Sequence, residues 1–225
     1  MPDVIIPWPF TRLYDKYPNR IFAKWFTKIA EEIKAKGISG NIVDIGTGPG
    51  RLPIEIAKQI KNVNLFGVDI SKDMIKLAQK NTDAASLGDR IEFRVGSASD
   101  TGFKDNSMDL VLSTNTLHHL SDPVRAFNEI YRLLKPGGEA WVFDGRKDAT
   151  RTEFLETVRK LDLADDIPVS IISRLWPLIH VGSKTEAYYS GKIAIAIKES
   201  SFKKAEITLE GTFMRLRLKK PETTV

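Results

Sequence analysis

The stretch "NIVDIGTGPG", Asn41 to Gly50, decides how this chain is expected to fold. A short apolar run that contains one carboxylate, Asp44, leads into glycines at Gly46, Gly48 and Gly50. An apolar run of this length is typical of a buried β-strand. Glycines let a backbone turn sharply and let a ligand approach its amides. Because an amphipathic segment follows, the stretch predicts a strand, a tight turn and a helix around a ligand site.

Strand and helix patterns alternate along the rest of the chain. Further strand patterns lie at residues 62–70, 90–95, 108–114 and 139–144, and two alternating strands surround Gly211 as a hairpin. Continuous apolar strands separated by amphipathic helices indicate a parallel sheet that is covered on both faces. We therefore predict the α/β class: a Rossmann-like, seven-stranded, mostly parallel sheet with an antiparallel C-terminal hairpin strand and helices on both faces.

The bulk composition excludes several classes of protein. The chain has 225 residues, a length that suits one domain with an appendage, and it has no cysteine. Disulfides, thiolate metal sites and cysteine nucleophiles are therefore excluded. No apolar run approaches the roughly 20 residues that cross a bilayer, and the start "MPDVIIPWPF" lacks the cationic region of a secretory signal. We expect a cytoplasmic protein without a transmembrane segment.

The net charge is +5, and its densest run is "RLRLKK", Arg215 to Lys220. Basic patches often bind nucleic acid. The excess here is modest and mostly spread along the chain, so ordinary solvated side chains and an RNA-binding surface are both open interpretations of this run.

The residues around the glycine turn indicate which nucleoside would bind. Asp69 ends the second strand 19 residues after Gly50, where a carboxylate can accept both hydroxyls of a ribose. A dinucleotide fingerprint, GxGxxG, would need glycine where Arg51 stands. A buried Asp44 would repel a pyrophosphate and suit a cation. S-adenosylmethionine carries an ammonium, a sulfonium and a ribose but no phosphate, so the electrostatics favour that cofactor.

Several motifs then share one family resemblance. "VDIGTGPG", "GVDIS", "LHHLSDPVRAFNEIYRLLKPGG" and the closing hairpin resemble class I S-adenosylmethionine-dependent methyltransferases, in the branch with the ubiquinone and menaquinone biosynthesis enzymes. The match covers roughly residues 40–145 and the hairpin. The resemblance implies an enzyme that transfers a methyl group in-line from S-adenosylmethionine. The motifs do not specify the acceptor, and a small molecule is our first hypothesis.

The resemblance also implies which residues hold the cofactor. The methionine end of the cofactor would be held by Asp44, Gly46, Thr47, Gly48 and Gly50, and the ribose hydroxyls by Asp69. Those that would pack on or hydrogen-bond the adenine are Ile70, Met74, Ser97 and Ala98. Where the family usually places an acidic residue, this chain has Ser97, and Asp100 is an alternative partner for the adenine amino group. Thr114 and Asn115 would line the pocket near the transferable methyl.

The expected domain organisation follows from the same resemblance. Residues 1–38 would form a helical lid or cap, and residues 39–225 the methyltransferase domain, with an acceptor-side insertion at 146–190. Tyr14 would belong to the lid and contact the cofactor, although packing of this segment on the sheet is the alternative. The apolar stretch within residues 163–182 could contact the acceptor, contact a membrane or fill the core.

The adjacent His118 and His119 are the remaining chemical candidates. Neighbouring side chains on a helix point about 100° apart, and only His180 is left as a further histidine. We therefore expect no metal site. His119 is the candidate general base because the resemblance places its position nearer the pocket; a structural turn is the alternative interpretation.

Two other functions stay open. One is an RNA methyltransferase that acts on a ribose or a ring nitrogen; "STNTLHHL" lacks the proline pair and aromatic residue of enzymes that methylate exocyclic base amines. The other is a non-catalytic scaffold that binds the cofactor. The oligomeric state is not specified by the sequence.

Overall fold

The computed structural model describes residues 18–146, 149–160 and 193–222. Its helices are α1 (Pro18–Ala35), α2 (Arg51–Gln59), α3 (Lys72–Ala84), α4 (Pro123–Leu133), α5 (Arg151–Lys160) and α6 (Ile193–Glu199). Its strands are β1 (Gly40–Ile45), β2 (Val63–Asp69), β3 (Ile91–Val95), β4 (Met108–Thr114), β5 (Leu134–Gly145), β6 (Glu206–Glu210) and β7 (Phe213–Lys219). No helix in these ranges is long and apolar enough to span a bilayer.

Some predictions lie outside the described residues. Tyr14 and the first 17 residues of the proposed lid are among them, as are residues 163–182 and His180. Of the proposed acceptor-side insertion, only residue 146 and residues 149–160 are described. These assignments stay predictions.

The seven strands form one sheet in the order β3-β2-β1-β4-β5-β7-β6. Strands β1 to β5 pair in parallel, and β7 runs antiparallel to both β5 and β6. The predicted fold class is therefore confirmed, including the antiparallel hairpin. The order reverses between β1 and β4, and in such sheets ligands bind at this switch point, beyond the carboxyl ends of the strands.

Two apolar layers cover the sheet, one on each face. Successive residues of a strand point to opposite faces, and β4 shows the division clearly. Leu110 and Leu112 pack with Trp25 and Ile33 of α1. Val111 packs on the other face with Phe127 of α4. An apolar run buried on both sides explains why β4 reads as a continuous hydrophobic strand.

The basic run near the C-terminus is largely used inside the fold. Arg215 and Arg217 of β7 both donate hydrogen bonds to Glu32 of α1. Their guanidinium groups also lie over the ring of Trp141, 5.3 and 4.6 Å from its centroid. Lys220 donates to the backbone carbonyls of Tyr131 and Leu134. These three cations tie α1 and the end of α4 to β7, so much of the charge of the run is used inside the fold.

We expect Glu32→Ala to lower the free energy of unfolding by about 1–2 kcal/mol, because it leaves two partly buried guanidinium groups without their carboxylate. Urea denaturation checks this against Glu31→Ala, a change at an exposed position of the same helix. If both variants unfold at the wild-type midpoint, the ion pairs do not hold α1 to the sheet.

Candidate functional site

The carboxyl ends of β1 and β4 meet around an open cleft of about 370 Å³. Asp44 and Thr114 line this cleft, as does Gly48 from the turn between β1 and α2. Phe22 and Phe26 of α1 form its apolar wall. Because β1 and β4 flank the point where the strand order reverses, the cleft lies where the sequence predicted a ligand site.

The three glycines of the turn, Gly46, Gly48 and Gly50, differ in what surrounds them. All three have positive φ, between 51 and 75°. A Cβ at Gly46 would overlap the side chain of Thr116, and one at Gly50 would lie 2.9 Å from the ring of Phe93. At Gly48, by contrast, a Cβ would meet no atom within 4 Å. Gly46 and Gly50 are therefore required by internal packing, whereas Gly48 leaves open space for a ligand.

Asp69, at the end of β2, supports this turn from beside the residues that line the cleft. Its Oδ2 accepts the Gly48 N–H at 2.9 Å, and its Oδ1 accepts the Ser71 N–H at 2.9 Å. Burial raises the pKa of Asp69, and the two N–H donors partly offset that rise. A carboxylate has about four acceptor positions, so two remain for hydroxyl groups. The sequence analysis predicted that Asp69 binds the ribose, which stays a prediction. It did not predict the hydrogen bond that the Gly48 N–H donates to Asp69.

Asp44 is a buried carboxyl group with an unusual electrostatic environment. It is only 2% exposed, and its Oδ1 has no hydrogen-bond partner in the described structure. Burial raises the pKa of Asp44 to about 7, the Thr47 hydroxyl opposes the rise, and the charge of Asp69 adds to it. Buried carboxylates are normally paired. A carboxylate oxygen without a partner beside a bare backbone turn fits a ligand that brings a cation, as S-adenosylmethionine does.

Beyond Asp69 the surface becomes apolar. Ile70 is 37% exposed and Val95 is 49% exposed, and Val95 pairs with Asp69 across the β2–β3 register. Exposed side chains of this kind suit a flat base such as adenine. Met74 is only 3% exposed and belongs to the core, so Ile70 offers more surface for a base. The sequence did not single out Val95, although it ends a strand at the same edge.

Ser97 and Ala98 lie in the turn after β3. Backbone hydrogen bonds join Ser97 and Asp100 in both directions, and the Ser97 hydroxyl accepts the Ser99 N–H at 3.2 Å. Ala98 packs against one apolar layer. Neither residue lines the cleft beside Asp44. Their contact with adenine stays a prediction.

Thr114 and Asn115 line the cleft, and their place near the transferable methyl stays a prediction. Asn115 adopts a left-handed conformation, with φ of 52°, and donates its N–H to the Phe143 carbonyl at 2.9 Å. The hydroxyl of Thr116 lies 3.4 Å from the Gly46 carbonyl and 3.1 Å from that of Thr114. These bonds fix the end of β4 against the glycine turn.

The structure draws attention to His118 rather than His119. The Nδ1 atom of His118 lies 2.7 Å from Oδ1 of Asp144, and the His118 N–H donates to Oδ2 at 3.0 Å. His119 stacks on His118 with ring centroids 3.9 Å apart. Burial lowers the pKa of His119 to about 4, which makes it a weak base at neutral pH. The histidine whose ring is held by a carboxylate is therefore His118, whereas the sequence analysis favoured His119 as the candidate general base.

Comparison with known proteins agrees with this geometry. Residues 43–142 match the family model described as a methyltransferase domain. A demethylmenaquinone methyltransferase of Lactiplantibacillus plantarum is 38% identical over 100 residues, which are 44% of this chain and 42% of that protein. The ubiquinone/menaquinone biosynthesis C-methyltransferase UbiE of Geotalea daltonii is 32% identical over 107 residues, 47% of this chain and 46% of that protein. The matched region thus spans less than half of either relative.

A solved structure extends the similarity to the whole chain. A proposed S-adenosyl-L-methionine-dependent methyltransferase from Methanococcus maripaludis superimposes with a TM-score of 0.76 at 27% identity. The match covers 100% of this chain and 99% of that one. The strand order, the glycine turn and the two carboxylates are therefore set in a fold that this neighbour shares.

Proposed function

We propose that this chain is a class I S-adenosylmethionine-dependent methyltransferase, in the branch that includes the ubiquinone and menaquinone biosynthesis enzymes, and that it methylates a small-molecule acceptor. The observation that carries the proposal is the unpaired Oδ1 of the buried Asp44 beside the open backbone of Gly48. This pair of features suits a ligand that is cationic and lacks phosphate.

Each part of the cleft would hold one part of the cofactor. Asp44 and the turn at Gly48 would bind the methionine end, Asp69 the ribose hydroxyls and Ile70 one face of the adenine. The bound sulfonium supplies the methyl group, already activated by a good leaving group. The protein's contribution is then to hold donor and acceptor in line, which is worth several orders of magnitude in rate.

The remaining walls would exclude water from the acceptor. Phe22 and Phe26 cover one side of the cleft with aromatic surface, while Thr114 and Asn115 provide polar atoms at the end of β4. A closed, dry site protects the reacting centre and strengthens its electrostatic interactions. The relatives' names support an acceptor of the quinone class, and we propose a small aromatic ring that is methylated in its electron-rich, quinol form.

The proposed function is tested by incubating the protein with methyl-labelled S-adenosylmethionine and reduced naphthoquinones that carry hydrogen at one ring position. We expect label in the quinol and formation of S-adenosylhomocysteine. Cofactor binding without transfer to any quinol or extract fraction would favour the scaffold interpretation. Salt-dependent retention of RNA, with label in the RNA, would favour the nucleic-acid alternative.

The cytoplasmic location stays a prediction.

We expect Asp69→Ala to weaken binding of S-adenosylhomocysteine by roughly 1–3 kcal/mol, because hydrogen bonds to a charged group are lost and the Gly48 amide is released. Calorimetric titration measures this change. Asp73→Ala provides a control, since that carboxylate lies on the neighbouring helix and only pairs loosely with Lys76 at 3.9 Å. Equal affinities for wild type and Asp69→Ala would refute the ribose role.

A further inference from the structure

The carboxyl ends of β4 and β5 carry a second group of polar side chains next to the cofactor cleft. Thr114 and Phe143 are partners in the β4–β5 register, and Asp144 follows directly on β5. His118 lies in the short turn Leu117–His119, three residues after Asn115 of the cleft. The chain thus places an imidazole and a carboxylate one strand away from the site proposed for the methyl donor.

Asp144 fixes the His118 ring in one orientation. The carboxyl group is buried, with its side chain 1% exposed, while the imidazole is 20% exposed. It accepts from the His118 backbone N–H, from the Gly145 N–H at 2.7 Å and from the ring at Nδ1. A carboxylate can only accept, so Nδ1 carries the ring proton and Nε2 is the basic nitrogen. A carboxylate that holds a histidine in this way is a recurring arrangement for proton removal.

We propose that His118 is the proton acceptor of this enzyme, that Asp144 is its positioning residue, and that the acceptor atom therefore bears a proton, as a hydroxyl or a ring C–H of a quinol does. This rests on the proposed function. It excludes tertiary amines and thioethers as natural acceptors, because these are methylated without losing a proton.

The proton balance explains why such a group is needed. The acceptor's electron pair forms the bond to the methyl carbon, the carbon–sulfur bond breaks with its pair passing to sulfur, and the acceptor's proton passes to Nε2 of His118. One proton is released per methyl transferred. The titratable groups that face the ring include Asp144, whose carboxylate accepts from Nδ1, and the stacked His119, whose low pKa keeps it neutral.

The test compares His118→Gln and Asp144→Asn with wild type in methyl transfer from labelled S-adenosylmethionine. The probes are a protic set, a reduced naphthoquinone and a catechol, and an aprotic set, dimethylglycine and dimethyl sulfide. We expect wild type to label the protic set. His118→Gln should lower kcat about 10²–10³-fold at pH 7.5, and part of this loss should be recovered as pH rises toward 10. Affinity for S-adenosylhomocysteine should stay within about twofold of wild type.

Several outcomes would overturn the inference while leaving the methyltransferase function intact. These are labelling of only the aprotic set, an unchanged pH–rate profile in His118→Gln, or loss of that profile in His119→Gln instead. Absence of any binding of S-adenosylhomocysteine by wild type would instead defeat the proposed function.

The tautomer of the His118 ring can also be tested by NMR spectroscopy, without an acceptor substrate. In ¹⁵N-labelled protein at pH 7.5, the His118 ring should carry its proton on Nδ1, and Asp144→Asn should shift the ring toward the other tautomer. A proton on Nε2 in wild type contradicts the inference. Melting temperatures of each variant separate a loosened turn from a lost proton acceptor, because the His118 backbone N–H also depends on Asp144.

Discussion

Gly48→Val is expected to abolish measurable binding of S-adenosylmethionine. A Cβ at Gly48 meets no protein atom within 4 Å, so a branched side chain would project into the space left for the ligand. The φ of +51° also strains valine, which costs the fold on the order of 1–3 kcal/mol. Calorimetry with S-adenosylmethionine and a melting curve measure the two effects separately.

Gly37→Val is the matched control for that strain. Gly37 has φ of +66° and equally open surroundings, but it lies after α1, before the strand whose far end carries the site. We expect a similar loss of stability with wild-type affinity for the cofactor. If Gly48→Val also binds as wild type does, the turn faces away from the ligand and the site is misplaced.

Asp44→Asn is expected to weaken cofactor binding about 100-fold or more and to stabilise the fold at pH 8. The loss of affinity follows from removing the charge that a ligand cation would pair with in a buried setting. The gain in stability follows from burial, which disfavours the ionised carboxylate and raises the pKa of Asp44 to about 7. An amide has no such cost, so we expect a gain of roughly 1–3 kcal/mol after allowing for its own unmet hydrogen bonds.

The pH dependence of this gain has a definite sign. The pKa of Asp44 rises from 3.8 in the unfolded chain to about 7 in the fold. Its contribution to stability is therefore fully present below pH 3.8 and is lost as pH rises to 7. The advantage of Asp44→Asn should be largest at pH 8 and shrink toward pH 4. Cofactor affinity of wild type should fall about tenfold per pH unit below 7, because binding needs the ionised form.

Asp109→Asn provides the contrasting control. Its carboxylate accepts from Lys135 and from the Asn41 N–H, both at 2.7 Å, so the amide should lose stability at pH 8 without loss of cofactor binding. Urea denaturation at pH 8 and pH 5 measures both variants. If Asp44→Asn is destabilising at pH 8 and still binds the cofactor, Asp44 is a structural residue.

The sequence predicted the sheet well because its signals are local. Apolar runs on strands such as β4 and the glycines of the first turn specify geometry over a few residues, and the parallel class follows from burial on both faces. The hairpin around Gly211 was also predicted correctly. The start of β5 was not, because it begins at Leu134 and includes the "KPGG" segment, which its pattern marks only as a helix stop.

The roles predicted for Asp44, Gly48 and Asp69 toward the cofactor stay predictions, although Asp44 and Gly48 line the cleft and Asp69 bonds to Gly48. The packing roles of Gly46 and Gly50 could not be predicted, because they depend on Thr116 and Phe93, which are distant in sequence. The pairing of His118 with Asp144 was missed for the same reason, since the two residues are 26 positions apart. The sequence does contain a signal for Asp144 as a site residue: "VFDG" places an aspartate at the end of a strand, as "IVDI" and "GVDI" do.

Parallel calorimetric titrations of the wild-type protein with S-adenosylmethionine and with NADH at pH 8 test the central claim most directly. The unpaired Oδ1 of the buried Asp44 and the open backbone at Gly48 predict saturable binding of the sulfonium nucleoside and none of the dinucleotide. Binding of NADH without binding of S-adenosylmethionine would contradict the account.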